Sequence, residues 1–112
     1  MVVTPIIKST IVSFENWGED YDDFSISVEA DIGPENEMGA ETFTFHVTSP
    51  KRLSHMGMAG EIQLGRGLLI MNEYNYEHVK QRIATLLKGC TRDTWSEVSM
   101  TIAKYARWEY DD

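Results

Sequence analysis

The chain has 112 residues, 42% hydrophobic and 25% charged, with a net charge of −8. That length predicts one domain, residues 1–112, with enough interior to fold without staples, and the composition argues against a disordered chain. The longest apolar run, Leu68 to Met71, falls far below the ~20 residues of a spanning helix, so no membrane is expected as a partner.

Charge is distributed unevenly. Residues 1–50 hold ten acids against Lys8 alone, −9, whereas residues 51–112 hold eight acids and nine bases, +1. Such a first half disfavours nucleic acid and anionic lipid and favours a basic partner; acidity that only maintains solubility is the equally weighted alternative. Met1 to Thr10 lack the basic start, apolar centre and cleavage site of a secretory signal, which predicts a cytoplasmic location. Cys90 is the single cysteine; it suits a reducing compartment, and its neighbours suggest no activated thiolate.

Pro5 to Phe14 are rich in isoleucine, valine and threonine and predict a first strand with proline at its start. Glu15 to Asp23 follow, five carboxylates and two large aromatics in nine residues. Desolvating several like charges costs more than the aromatics return, so a displayed loop is expected. Phe24, Ile26, Val28, Ala30 and Ile32 then alternate with Ser25, Ser27, Glu29 and Asp31, the pattern of a strand buried on one face. Gly33 and Pro34 end it, Glu35 to Gly39 form a hairpin connection, and Glu41 to Thr48 repeat the alternation with Phe43, Phe45 and Val47 inward. Ser49 and Pro50 predict an N-cap and first helical residue for a short turn, Lys51 to Met56, stopped by Gly57 and Gly60. Met56 and Met58 suit gap-filling packing.

Gly65 and Gly67 flank Arg66 before the apolar run, which predicts a fourth strand covered on both sides. A phosphate-binding loop fails there, because no lysine and serine or threonine follow at the required spacing. Asn75 caps a predicted helix with Tyr76, Val79, Ile83, Leu86 and Leu87 on one face, closed by Lys88 and a Gly89 C-cap. Thr94 and Glu97 have capping-box spacing and open a second helix aligning Trp95, Val98, Ile102 and Tyr105. Strands followed by helices predict an α+β fold: an antiparallel sheet of about four strands, then two helices packed on one face. The other face would carry Ser25, Ser27, Glu29, Asp31, Thr42, Thr44 and His46, polar and open. The first or second strand could lie at an edge and pair with another copy.

No catalytic constellation assembles. His46, His55 and His78 have no partner at metal-ligand spacing, and Asp20, Asp22 and Asp23 depart from a calcium loop's alternating acids and distal glutamate. Ser54 beside His55 is adjacency alone, and no carboxylate pair has environments that would drive two pKa values apart. Trp108, Glu109, Tyr110, Asp111 and Asp112 repeat aromatics amid acids; tucking of the aromatics against a sheet edge is favoured over an interface role.

Several residues stand in a distinctive order: Ile32, Gly33, Pro34; Phe43, Phe45, Val47, Ser49, Pro50; Gly65, Arg66; Glu73, Tyr74; Trp95, Glu97; and Trp108, Glu109, Tyr110. In this order and spacing, over nearly the whole length, the chain resembles the immunity protein 8 family found beside toxin genes in bacterial polymorphic toxin systems. It departs in Met56 to Gly60 and at Gly67. The resemblance implies a non-enzymatic antidote that binds and blocks its cognate toxin domain, without naming the toxin, and it supplies no catalytic residue and no cofactor.

The expected function is therefore an immunity protein whose acidic surface occludes a basic toxin surface, for instance that of a nuclease. Its expected partner-binding residues are Glu15, Trp17, Glu19, Asp20, Tyr21, Asp22, Asp23, Glu29 and Asp31; no metal is expected. A small ligand-binding or adaptor module, with a pocket between the sheet and the glycine-rich segment, is the alternative, and an enzyme comes third.

Overall fold

The computed structural model describes residues 2–58 and 67–110, side chains excepted at 56–58. Three long strands form the frame: β1 (Pro5–Trp17), β2 (Phe24–Pro34) and β3 (Glu41–Thr48), each antiparallel to the next. Alternation along β2 and β3 sets the layers, since Phe24, Ile26, Val28, Ala30, Ile32, Phe43, Phe45 and Val47 are all fully buried on one face. Helices α2 (Tyr76–Leu87) and α3 (Trp95–Ile102) cover that face with Val79, Ile83, Leu87, Val98 and Ile102. Burying a side chain of this size is worth about 1.5–3 kcal/mol, so this shared layer is the main stabilising contact of the fold.

The architecture is α+β, as expected, with differences of detail. The sheet is mixed: β4 (Leu68–Ile70) runs parallel to β3, and β5 (Arg107–Trp108) pairs antiparallel with β3 beside it. A parallel neighbour requires a crossover, which here includes a helix, α1 (Pro50–Met58). This helix runs through Gly57 rather than stopping there. Gly60 and the Gly65–Arg66 pair lie outside the described residues, as do the Met56 and Met58 side chains. The expectation that the fourth strand is covered on both sides fails, because Leu68 and Leu69 are half-buried and Ile70 is exposed.

Local chemistry explains the ends. Ser49 Oγ accepts from the N–H of Arg52 at 3.1 Å and from the N–H of Phe24 at 3.1 Å, so one buried hydroxyl caps α1 and fixes the start of β2. Asn75 Oδ1 accepts from His78 N at 3.1 Å, and Thr94 Oγ1 from Glu97 N at 3.2 Å. The expected glycine C-cap of α2 is not formed: Lys88 is the cap in right-handed geometry, and among the described residues positive φ occurs only at Gly39 and Gly67. Gly33 is needed for close approach, since a Cβ there would stand 2.1 Å from the Gly39 carbonyl across the β2–β3 connection. Tyr105, expected on the inner face of α3, lies beyond the helix and is exposed, and Ala106 is buried instead.

Among the described residues β1 is one edge of the sheet and β4 ends the strand order at the other, whereas β2 is internal. The pairing of β1 with β2 shifts register between Ile7 and Ser9 and again between Val12 and Phe14, leaving Lys8 and Ser13 with no residue directly opposite them on β2. These are β-bulges, each of which resets the inward–outward phase of the strand.

Candidate binding surface

The nine residues expected to bind a partner occupy three settings. Glu15 and Trp17 are not in a loop: β1 extends through both, opposite Ile26 and Phe24, so they project to the helix side of the sheet. Trp17 lies against Phe24, with ring centroids 5.2 Å apart, and edge-on to Tyr74 at 6.0 Å. It closes the end of the core while remaining partly exposed. Burial, then the nearby Glu15 carboxylate and Tyr76, holds the Tyr74 phenol above its ordinary pKa, and its hydroxyl has no hydrogen-bond partner among the described residues.

Glu19, Asp20, Tyr21, Asp22 and Asp23 make the turn itself, pinned by Gly18 N to Asp23 O at 2.8 Å and Asp23 N to Asp20 O at 3.1 Å. The displayed-loop expectation holds for Glu19 and for Tyr21, which is 70% exposed. It fails for Asp23, whose side chain is only 13% exposed and whose Oδ1 accepts from Arg52 Nε at 2.6 Å. The cations of α1, Lys51 and Arg52, offset the repulsion among these acids. Arg52 also donates to Asn16 Oδ1 at 2.8 Å, and Lys51 binds Asp20 and, at 3.5 Å, Asp22. The hydrogen bond and charge of Lys51 hold the Asp20 carboxyl below its usual range, while Asp20 in turn raises the Lys51 ammonium. Both are exposed, so solvent screening keeps this pair weak. Three of the turn's four acids therefore fasten α1 to the hairpin.

Glu29 and Asp31 lie on the opposite side of the sheet from the core, with Ser25, Ser27, Thr42, Thr44 and His46 as expected. Asp31 accepts from Thr42 Oγ1 at 2.8 Å and Ser9 Oγ at 3.0 Å, and Ser27 Oγ meets His46 Nδ1 at 2.9 Å. The side chains of Glu29 and Glu19 make no hydrogen bond or ion pair among the described residues. Partial burial, then Arg107, lowers the His46 pKa. From Asp23 to Asp31 the strand runs about 26 Å at ~3.3 Å per residue, so turn and face belong to one interface only if it is of ordinary size, about 800 Å² on each partner.

Sequence reasoning missed Glu41. Its Oε1 accepts from Trp95 Nε1 at 2.7 Å and its Oε2 from Trp108 Nε1 at 2.6 Å, joining α3 and the C-terminal segment to β3. Trp108 stacks on Phe43 at 6.1 Å, so it tucks against the sheet edge as favoured, whereas Tyr110 packs edge-on to Trp108 at 5.4 Å but is 66% exposed. The alternation of tryptophan and acid in the terminal stretch was visible; the carboxylate that joins two indoles from different elements was not.

No group of three or more histidine, cysteine or acidic side chains converges on a metal position among the described residues. Cys90 is buried, and burial raises its thiol pKa, which disfavours the reactive thiolate. A cleft of about 400 Å³ between β4 and α2, lined by Leu68 to Met71, His78, Val79 and Arg82, is nearest to the pocket expected beside the glycine-rich segment. Among the described residues no helix is long and apolar enough to cross a membrane.

Fold and surface together define an α+β domain with one helix-covered sheet face and one open, polar face carrying Glu29, Asp31 and Arg107, flanked by a hairpin turn fastened to α1. The chain belongs to the immunity protein 8 family, whose model matches residues 6–112. No curated protein and no solved structure matches it.

Proposed function

We propose that this chain is an immunity protein that binds a cognate bacterial toxin domain in the cytoplasm and neutralises it stoichiometrically, without catalysis. Membership in the immunity protein 8 family over residues 6–112 carries the reading. Its electrostatic form is supported by the −9 charge of residues 1–50 and by the acids of the turn and open face. A basic toxin surface, such as that of a nuclease, is steered onto this side, where well-placed charge pairs are worth on the order of 1.5–7 kcal/mol.

The test is to mix the purified protein with the toxin domain encoded beside it and measure toxin activity and complex formation. Inhibition saturates at one-to-one stoichiometry, and association slows as salt rises. Reversal of Glu19 and Glu29 to lysine is the informative double variant, because neither supports the α1 clamp; it slows association by about tenfold or more at low salt. Absence of any complex at low salt would sink the proposal.

A further inference from the structure

Strict alternation from Ile11 would place Val12 and Phe14 together on one face of β1. The bulge at Ser13 breaks that phase: Val12 pairs with the core residue Val28, but Phe14 pairs with Ser27 of the open face. Ile11, opposite Glu29, is already on that face. The bulge therefore turns Phe14 outward beside Ile11, and the two are 52% and 59% exposed. Re-aiming one side chain is a recognised use of a bulge. Solvent gives no reason to present a phenylalanine and an isoleucine here, on a free sheet edge where polar or charged residues are the usual protection. The helix side of β1 uses its own residues differently, since Thr10 bonds Tyr76 and Trp17 covers Phe24.

Resting on the immunity reading above, we infer that Ile11 and Phe14 are the apolar anchors of the toxin interface, inserted into an apolar pocket of a basic protein surface. Glu29 beside Ile11, and Asp31 beyond it, form the acidic rim that selects a basic partner. Of the nearby cations, Lys51 and Arg52 are held at the turn and Lys8 donates to the Glu37 carbonyl; among the described residues Arg107, opposite Thr44, is the exposed cation of this face and lies two strands further from β1 than Glu29. A second copy of the chain would bring the same acids against them, so self-association through this face is disfavoured. Aromatic and aliphatic side chains at the centre of a water-excluding, polar-rimmed patch are where interfaces concentrate their energy.

The experiment measures binding of the intact chain to the toxin domain encoded beside it, comparing wild type, Ile11→Ala, Phe14→Ala and the double variant, with Val12→Ala as a control on the opposite face. Urea midpoints establish that each variant folds. Each anchor substitution raises Kd by about tenfold or more, mainly through faster dissociation and at high salt as well as low, while Val12→Ala leaves Kd within about twofold. Tight wild-type binding with an unchanged double variant overturns the anchors and leaves the immunity reading standing. No wild-type complex removes both. A wild-type dimer that Phe14→Ala converts to monomer, seen by sedimentation, assigns the face to a second copy and overturns the proposal.

Discussion

Glu41 shows how much one residue can organise. Each carboxylate oxygen receives an indole N–H, one from Trp95 in α3 and one from Trp108 in β5, and charge-assisted bonds of this kind are worth about 1.5–3 kcal/mol each. Glu41→Gln keeps the size but presents an amide NH₂ to one of the indoles, so one bond is replaced by a clash of donors. The expected loss is about 1.5–3 kcal/mol, read as a lower urea midpoint with an unchanged slope. Asp23 carries a similar lesson at the turn. Its identity as an acid in a run of acids predicted exposure, yet one guanidinium reaching from α1 was enough to draw it in.

Among the elements, β2 and β3 were legible because each buries one face completely, which imposes period two on the sequence. The N-caps of α1, α2 and α3 were legible for a local reason, as an N-cap needs only a short polar side chain at a fixed offset, whereas the glycine C-cap expected for α2 did not form. Features set by distant partners were not. β5 is two residues long and exists because Phe43 and Thr44 offer an edge, and the parallel placement of β4 depends on a crossover rather than on Leu68 to Ile70 themselves. Of the candidate surface, the polar face was readable from β2 and β3, whereas the bulge that exposes Phe14 has no signature in the sequence of β1. Ser49 joins local and distant roles, since its hydroxyl caps α1 and also holds the first N–H of β2. Ser49→Ala leaves two N–H groups without that acceptor and lowers stability by about 2 kcal/mol, measured by denaturant unfolding.

For the molecule as a whole, acid is the informative perturbation. His46 has a folded pKa below its ordinary 6.5, so the unfolded chain binds the proton more readily. The stability associated with neutral His46 is fully present above about pH 6.5 and is lost as pH falls toward the lowered folded value, with no further loss below it. Urea midpoints measured from about pH 7 to about pH 5 decline in the wild type, and His46→Gln flattens that decline. The bulges of β1 also bear on how the molecule survives in a crowded cell. An exposed edge containing isoleucine, valine and phenylalanine is the material from which fibrils are seeded. A straight strand laid along it keeps its hydrogen bonds in phase within one of three short stretches at a time, Pro5 to Ile7, Ser9 to Val12 or Phe14 to Trp17. The irregularity that turns Phe14 outward thus also works against edge-to-edge pairing with misfolded chains while leaving the apolar residues of the strand uncovered.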